Sequence, residues 1–332
     1  MKKAIILAQG AGSKLWPFNT TRPKVAVPVG GASLLRQQIH SLAMEGIDSI
    51  IVVTSSRFEA HIRYLVSGKG EQPTGAAGMQ WQDNQKPMPH VQVVALDPPQ
   101  GTAPALRHVL QGIEDEPVLV LYGDVLLDPE TLSRIISAHH EAPDASLVLA
   151  APLHELENQT TYLAVRVQKG LIEEVIAHPR HSVTHRIAGA FIFQSRTVLP
   201  YLEAHPGYVA AIPSGGMPPQ NEADLAQTVQ MIIEDGIPVR AVEPAVFALD
   251  IDRPWDILAV NYVWLGFLGK TLSTDIIHPS AHVSERAEIK GHIVLGENAV
   301  IGPGVVIEGN AWIDNNATVT NGAIIGANTY IG

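Results

Sequence analysis

Every sixth residue from Ile277 to Ile331 is aliphatic: Ile277, Val283, Ile289, Leu295, Ile301, Ile307, Ile313, Val319, Ile325 and Ile331. Four residues after each of the first nine stands a small or β-branched residue: Ala281, Ala287, Ile293, Ala299, Val305, Ala311, Ala317, Ala323 and Thr329. Helices repeat at about 3.6 residues and strands at about 2, so neither sustains a period of six. A parallel β-helix with three hexapeptides per triangular coil does, because each hexapeptide lays one short strand on the strand below it. The sequence stops at Gly332, one residue past a repeat position, without a polar cap. A solenoid end needs covering, so we expect a truncated array or an end packed on another subunit.

The residues before the repeats follow a different rule, alternating apolar strand-like runs with helical patterns, as in βαβ-rich sheets. Strands are predicted at Ala4–Ala8, Ser49–Thr54, Val91–Leu96, Val118–Tyr122, Ser146–Ala151, Tyr162–Val167 and Arg186–Phe193. Helices are predicted after a Ser33 cap, at Glu59–Val66, Thr102–Ile113, Pro129–His140, Glu222–Asp235 and Pro254–Leu268. Gly68–Pro89, rich in Gly, Gln and Pro, reads as an exposed loop. The organisation is therefore an α/β domain over 1–245, a connecting helical segment over 246–272 and the repeats over 273–332.

Composition excludes several classes. The chain is 46% hydrophobic and 17% charged, which is incompatible with wholesale disorder. It has no cysteine, so disulfides, thiolate metal sites and cysteine nucleophiles are out. A net charge of −11 argues against nucleic acid or an anionic membrane as partner. The apolar run Ala4–Ala8 is too short for a signal peptide, and no stretch approaches the roughly 18 residues of a membrane span; we expect a soluble cytoplasmic protein. The charge is also uneven. Met1 to Met44 contains no acid and carries +6, and the other 288 residues carry −17. A cationic segment in an acidic chain suits a small anionic ligand.

That segment holds Leu7-Ala8-Gln9-Gly10-Ala11-Gly12-Ser13-Lys14-Leu15-Trp16-Pro17, then Arg22-Pro23-Lys24. A glycine-rich loop directly after a buried first strand can turn backbone N–H groups onto phosphate. It is neither a dinucleotide fingerprint, since Leu15 stands at the third glycine position, nor a P-loop. With Pro17, Pro23 and Lys24 it resembles the signature of the sugar-1-phosphate nucleotidylyltransferases. The resemblance continues through Gln100-Gly101-Thr102-Ala103, Tyr122-Gly123-Asp124 and Leu249-Asp250-Ile251-Asp252 followed by Pro254 and Asn261. It covers nearly the whole chain. It implies a Rossmann-like nucleotidyltransferase domain with a mixed sheet, followed by a left-handed parallel β-helix.

The implied reaction makes a nucleoside diphosphate sugar and pyrophosphate from a nucleoside triphosphate and a sugar 1-phosphate. The resemblance places Mg²⁺ on Asp124 and Asp250, and Lys14, Lys24 and Asp124 at the chemistry. It places Ala8, Gln9, Gly10, Ala11, Gly12, Gln100, Gly101 and Thr102 on the nucleotide, and Tyr162, His178 and Gly189 on the sugar phosphate. Plainer readings stand beside these. Asp124 also reads as a turn residue, one of Asp250 and Asp252 as a cap for the Pro254 helix, and Asn221 as an N-cap with Glu222 and Asp224 in the first turn. The histidines show no metal spacing.

Three departures from the family pattern concern substrate binding. Lys14 replaces an arginine and loses its planar fork, Leu163 follows Tyr162 where a glycine is usual, and Ala177-His178-Pro179 stands for Glu-Lys-Pro. Two functions follow: an active nucleotidylyltransferase, with UTP or dTTP and glucose- or N-acetylglucosamine-1-phosphate as the expected substrates, or a degenerate homologue that binds nucleotide or nucleotide sugar to regulate a partner subunit. Acetyltransferase activity in the repeats is a third, minor reading. A homo-oligomer through the β-helix is expected.

Overall fold

The computed structural model describes residues 1–10, 12–67, 87–98, 100–113, 115–153, 163–177, 183–203 and 223–332. In chain order its first strands are β1 (Lys3–Leu7), β2 (Pro28–Val29), β3 (Ala32–Ser33), β4 (Ser49–Thr54), β5 (His90–Ala95), β6 (Pro117–Tyr122), β7 (Val125–Leu127), β8 (Ser146–Pro152), β9 (Leu163–Gln168), β10 (Leu171–Ala177), β11 (His185–Gln194), β12 (Val239–Val242) and β13 (Ala248–Asp250). The helices are α1 (Leu34–Met44), α2 (Ser56–Val66), α3 (Thr102–Leu110), α4 (Pro129–Glu141), α5 (Ser195–Glu203), α6 (Leu225–Glu234) and α7 (Pro254–Gly269). Contacts divide the chain into two units. One comprises Met1–Gly12, Gln38–Arg63 and Met88–Asp250; the other comprises Ser13–Gln37, Tyr64–Pro87 and Ile251–Gly332.

The first unit is built on a mixed sheet in the order β5-β4-β1-β6-β11-β8-β12-β10-β9. β1 lies parallel to β4 and β6, and its Ala4, Ile5 and Ile6 are wholly buried, as a strand covered on both faces requires. β11 runs antiparallel to both β6 and β8. Its Phe191 and Phe193 stack with ring centroids 5.6 Å apart in the core. The register of β11 on β8 shifts between Ile187 and Phe191. Within that shift lies Gly189, buried at φ +68°, where an added Cβ would stand 2.6 Å from Val125 Cγ2. Gly189→Ala therefore combines backbone strain with overpacking. We expect a loss of about 1–3 kcal/mol, read from chemical denaturation.

Asp128 fixes the approach to the last strand of this unit. It is fully buried at the N-cap of α4, where it accepts the Thr131 N–H at 2.9 Å and the Phe247 N–H at 2.7 Å. Thr131 Oγ1 in turn accepts the Ala245 N–H at 2.7 Å. The run into β13 is thus held by buried hydrogen bonds before it reaches Asp250.

In the second unit, β2 and β3 form a hairpin whose tip residues Gly30 and Gly31 have φ +56° and +86°. Such a two-residue turn needs positive φ at both positions, which glycine tolerates without penalty. Asn261 on α7 holds the hairpin: its Oδ1 accepts the Gly30 N–H at 2.8 Å and its Nδ2 donates to the Pro28 carbonyl at 3.1 Å. Asn261, noted in the sequence for its resemblance to a metal region, therefore has a structural task.

The repeats form the expected parallel β-helix. Their strands are β14 (Ile276–Ile277), β15 (His282–Val283), β16 (Glu288–Ile289), β17 (Ile293–Leu295), β18 (Val300–Ile301), β19 (Val306–Ile307), β20 (Ala311–Ile313), β21 (Thr318–Val319), β22 (Ile324–Ile325) and β23 (Thr329–Ile331). They stack as three parallel sheets, β14-β17-β20-β23, β15-β18-β21 and β16-β19-β22. Ile277 pairs with Leu295, Val283 with Ile301 and Ile289 with Ile307, a rise of three hexapeptides per coil. Leu295, Ile301, Ile307 and Ile313 are fully buried inside the coils. On the outside of the first sheet, Val294 and Trp312 pack with Leu265 of α7. No helix among the described residues is long and apolar enough to cross a membrane.

Two expected caps are corrected. Ser33 lies in β3, buried, and its Oγ has no hydrogen-bond partner among the described residues. The first N–H of α1, on Leu34, goes to the Val27 carbonyl at 2.9 Å instead. The N-cap of α6 is Asp224, three residues beyond Asn221, because its carboxylate accepts the Ala226 N–H while Gln227 reaches back to its own N–H. Asn221 and Glu222 lie outside the described residues, as does most of the Gly68–Pro89 segment.

Candidate active site

β6 ends at Tyr122, and the chain turns through Gly123 and Asp124 into β7. The Gly123 N–H donates to the Leu7 carbonyl at 2.9 Å, which ties the turn to the end of β1. Gln38 of α1 completes the hold. Its buried Nε2 donates to the carbonyls of Tyr122 at 2.9 Å and Val125 at 2.7 Å, bracketing Asp124. Gln38 was absent from the sequence reading, since one glutamine on a helix carries no signature. Gln38→Leu would leave both carbonyls without this donor; we expect a loss of about 1–3 kcal/mol in unfolding free energy.

The β7–β13 ribbon sets Asp250 opposite Val125, so the backbone brings Asp250 beside the residue that follows Asp124. The two predicted metal aspartates are therefore near neighbours in the same unit. Asp250 accepts a hydrogen bond from Arg186 Nη1 at 2.6 Å through Oδ2, and Arg186 Nη2 donates to the Ala248 carbonyl at 2.8 Å. Arg186 is buried in β11. A buried guanidinium needs a carboxylate to be tolerated, and Asp250 supplies it. Among the described residues no group of three or more His, Cys, Asp or Glu is gathered for a metal. Carboxylates are hard-oxygen donors of the kind Mg²⁺ takes together with phosphate oxygens and water, and the backbone brings these two residues near each other.

The predicted nucleotide residues line up along two loops of this unit. Ala8 is buried, with its N–H on the Val53 carbonyl at 2.7 Å, and Gln9 donates through Nε2 to the Leu96 carbonyl at 3.1 Å. Gly10 is exposed, and a Cβ there would meet nothing within 4 Å. Gly12 adopts φ +61°. Ala11 lies outside the described residues. In the second loop Gly101 has φ +105°, and a Cβ would strike the Ala223 carbonyl oxygen at 2.2 Å. The Gln100 carbonyl accepts the Ala223 N–H at 3.0 Å, and Thr102 Oγ1 accepts the Leu225 N–H at 2.9 Å. Much of the conformational demand in Gln-Gly-Thr is thus met by the start of α6.

Beside this loop Tyr122 donates its hydroxyl to Asp224 Oδ1 at 2.9 Å. Burial, reinforced by the Asp224 charge, pushes the Tyr122 phenol well above its ordinary range, and burial likewise raises the Asp224 carboxyl. The charge of Asp124 acts in the same direction on both groups. Asp224 is therefore more than a helix cap: it shares a negative field with Asp124. Of the predicted sugar-phosphate residues, Gly189 is the packed bulge glycine described above. Tyr162 and His178 lie outside the described residues. Leu163 opens β9, half-buried against the core.

In the second unit Lys14 and Lys24 converge on Asp252. Lys24 Nζ lies 2.7 Å from Oδ1 and Lys14 Nζ lies 3.3 Å from Oδ2. Burial alone would raise the Asp252 carboxyl; the Lys24 ammonium, backed by Lys14, outweighs it and holds the group below the usual carboxylate range. Asp252 does not cap α7. That task falls to Asp256, whose Oδ2 accepts the N–H groups of Asp252 at 2.9 Å and Arg253 at 2.7 Å. The sequence signalled a choice between Asp250 and Asp252 without showing that the two take different partners.

Comparison with known proteins decides the kinship. The nucleotidyl transferase family model matches residues 3–208. The chain belongs to the nucleotidyl transferase family. Among curated relatives, it is 24% identical over 302 residues to the bifunctional sugar-1-phosphate nucleotidylyltransferase/acetyltransferase of Sulfurisphaera tokodaii, covering 90% of this chain and 63% of the relative. It is likewise 24% identical over 301 residues to a mannose-1-phosphate guanyltransferase of Aspergillus oryzae, covering 90% of this chain and 73% of the relative. The chain spans less than two-thirds of the length of the bifunctional relatives it matches. The fold is that of the UTP-bound UGPase of Acinetobacter baumannii, with a TM-score of 0.61 at 18% identity over 78% of this chain and 92% of the other.

Proposed function

We propose that this chain transfers a nucleotidyl group from a nucleoside triphosphate to a sugar 1-phosphate. A phosphate oxygen of the sugar 1-phosphate attacks the α-phosphorus, the bond from that phosphorus to the bridging oxygen breaks, and pyrophosphate leaves. The attacking oxygen is already anionic near neutral pH, so no general base is needed. The difficulty is bringing anions together, and catalysis of this type rests on positioning and charge neutralisation. The observation that carries the reading is the convergence of Lys14 and Lys24 on a single anionic group in an otherwise acidic chain.

In this reading Lys24 meets the reacting phosphates and Lys14 the β- and γ-phosphates. Gly10, Ala11 and Gly12 offer backbone to the nucleotide, supported by Ala8 and Gln9, and Gln100, Gly101 and Thr102 contact the base. Tyr162, His178 and Gly189 serve the sugar phosphate. Asp124 and Asp250 hold Mg²⁺, which supplies charge neutralisation on the triphosphate when bound. UTP or dTTP and glucose- or N-acetylglucosamine-1-phosphate are the proposed substrates. They are cytoplasmic metabolites, so the cytoplasm is the proposed compartment, and the β-helix is the proposed surface for homo-oligomers.

A second reading draws on the pairing of Asp250, one of the proposed metal carboxylates, with the buried Arg186. A regulatory homologue that binds nucleotide without turnover has its charges satisfied internally in this way. A matrix of UTP, dTTP, ATP, GTP and CTP against glucose-, N-acetylglucosamine-, galactose- and mannose-1-phosphate separates the two. One productive combination identifies both substrates of an enzyme; binding without product in every well supports the regulator.

A further inference from the structure

Lys24 is the most enclosed charge of its trio: its side chain is 11% exposed, against 43% for Asp252 and 61% for Lys14. The two oxygens of Asp252 are divided between the two ammoniums, Oδ1 to Lys24 and Oδ2 to Lys14. That is the bridging arrangement two lysines make with a phosphate, whose separate oxygens also accept from separate donors. The backbone that carries this carboxylate is itself held in place. The backbone at Asp252 is pinned by Asp256, which accepts the N–H groups of both Asp252 and Arg253, and Pro254 at the start of α7 restricts the next step.

Resting on the assignment of Lys14 and Lys24 to phosphate, we infer that Asp252 is a built-in competitor for the anion site, occupying the lysines when ligand is absent and tuning which phosphates can displace it. Two ammoniums and one carboxylate leave a single net positive charge. A monoanion gains little by exchanging with a carboxylate that is already tethered in place. A polyphosphate brings several charges to the two lysines, so it displaces Asp252 more readily than orthophosphate, which carries only about one to two charges near neutral pH. Asp252 is thus a specificity-determining residue that raises the threshold for anion binding and favours triphosphate over orthophosphate.

The test is calorimetric titration of the full chain with inorganic tripolyphosphate and orthophosphate, for the wild type, Asp252→Asn and Lys24→Ala. Asp252→Asn keeps the side-chain shape and removes the competing charge. We expect it to bind tripolyphosphate roughly 5- to 10-fold more tightly, as for one partly enclosed charge pair, and to narrow the preference for tripolyphosphate over orthophosphate. In turnover it should lower KM for the nucleoside triphosphate, a change that loss of a merely structural contact would not produce. Unchanged or weaker tripolyphosphate binding by folded Asp252→Asn overturns the inference and makes the carboxylate a support for Lys24. Lys24→Ala tests the underlying assignment separately: if tripolyphosphate binding survives it unchanged, the phosphate role of Lys24 fails. Asp252→Ser is read the same way should the asparagine variant not fold.

Discussion

Asp124→Asn is expected to lower pyrophosphate release by roughly a thousandfold while leaving the protein folded. Its position has no slack: the turn is tied to β1 through Gly123 and clamped by Gln38 on either side. Asparagine preserves the shape and the turn propensity but removes the negative charge that would hold a hard divalent cation. Loss of several kcal/mol of transition-state stabilisation from the metal corresponds to a thousandfold or more in rate. The same change relieves the field that Asp124 exerts on Asp224 and Tyr122, and the shape that asparagine keeps should maintain the melting temperature. A fall in activity with the melt maintained separates a chemical role from a structural one; full activity in the variant would remove Asp124 from the chemistry.

Lys24→Ala is expected to cost about 10²–10³ in kcat, the usual consequence of deleting one enclosed donor aimed at developing phosphate charge. Lys24→Arg should recover only part, because a guanidinium is planar and longer than the ammonium it replaces. Lys14 is far more open, and its removal should act mainly on KM for the triphosphate. The contrast between the two lysines, read from initial rates over a range of nucleotide, follows from their exposure.

The β-helix was fully legible in the sequence because its six-residue period is written into the chain, and the register from Ile277 to Leu295 follows that count. The parallel strands β1, β4 and β6 were equally clear, since burial on both faces demands unbroken apolar runs. α5 was not read. Pro200 stands inside it, and proline argues against a helix interior although Val198 and Leu202 still face the core. β10 and β12 escaped because their half-exposed, charged sequences show no strand pattern apart from the sheet that receives them. At the site, the motif glycines, lysines and aspartates were visible as residue types in order. Their partnerships are not: Gln38 with the carbonyls beside Asp124, Arg186 with Asp250, and Tyr122 with Asp224 are separated by long stretches, and only the fold brings them together. Asp252 is in view as one of two candidates for the Pro254 cap, and proximity to Pro254 in sequence says nothing about Lys14 and Lys24.

The proposed reaction joins a nucleoside triphosphate to a sugar 1-phosphate. The most direct measurement is pyrophosphate release by the wild-type protein with Mg²⁺, in the presence and absence of sugar 1-phosphate, with the mass of the nucleotide product determined in the same reaction. Pyrophosphate is expected only when both substrates and Mg²⁺ are present, in equal amount to a nucleoside diphosphate sugar. A folded protein that binds nucleotide yet releases no pyrophosphate with any sugar phosphate would contradict it.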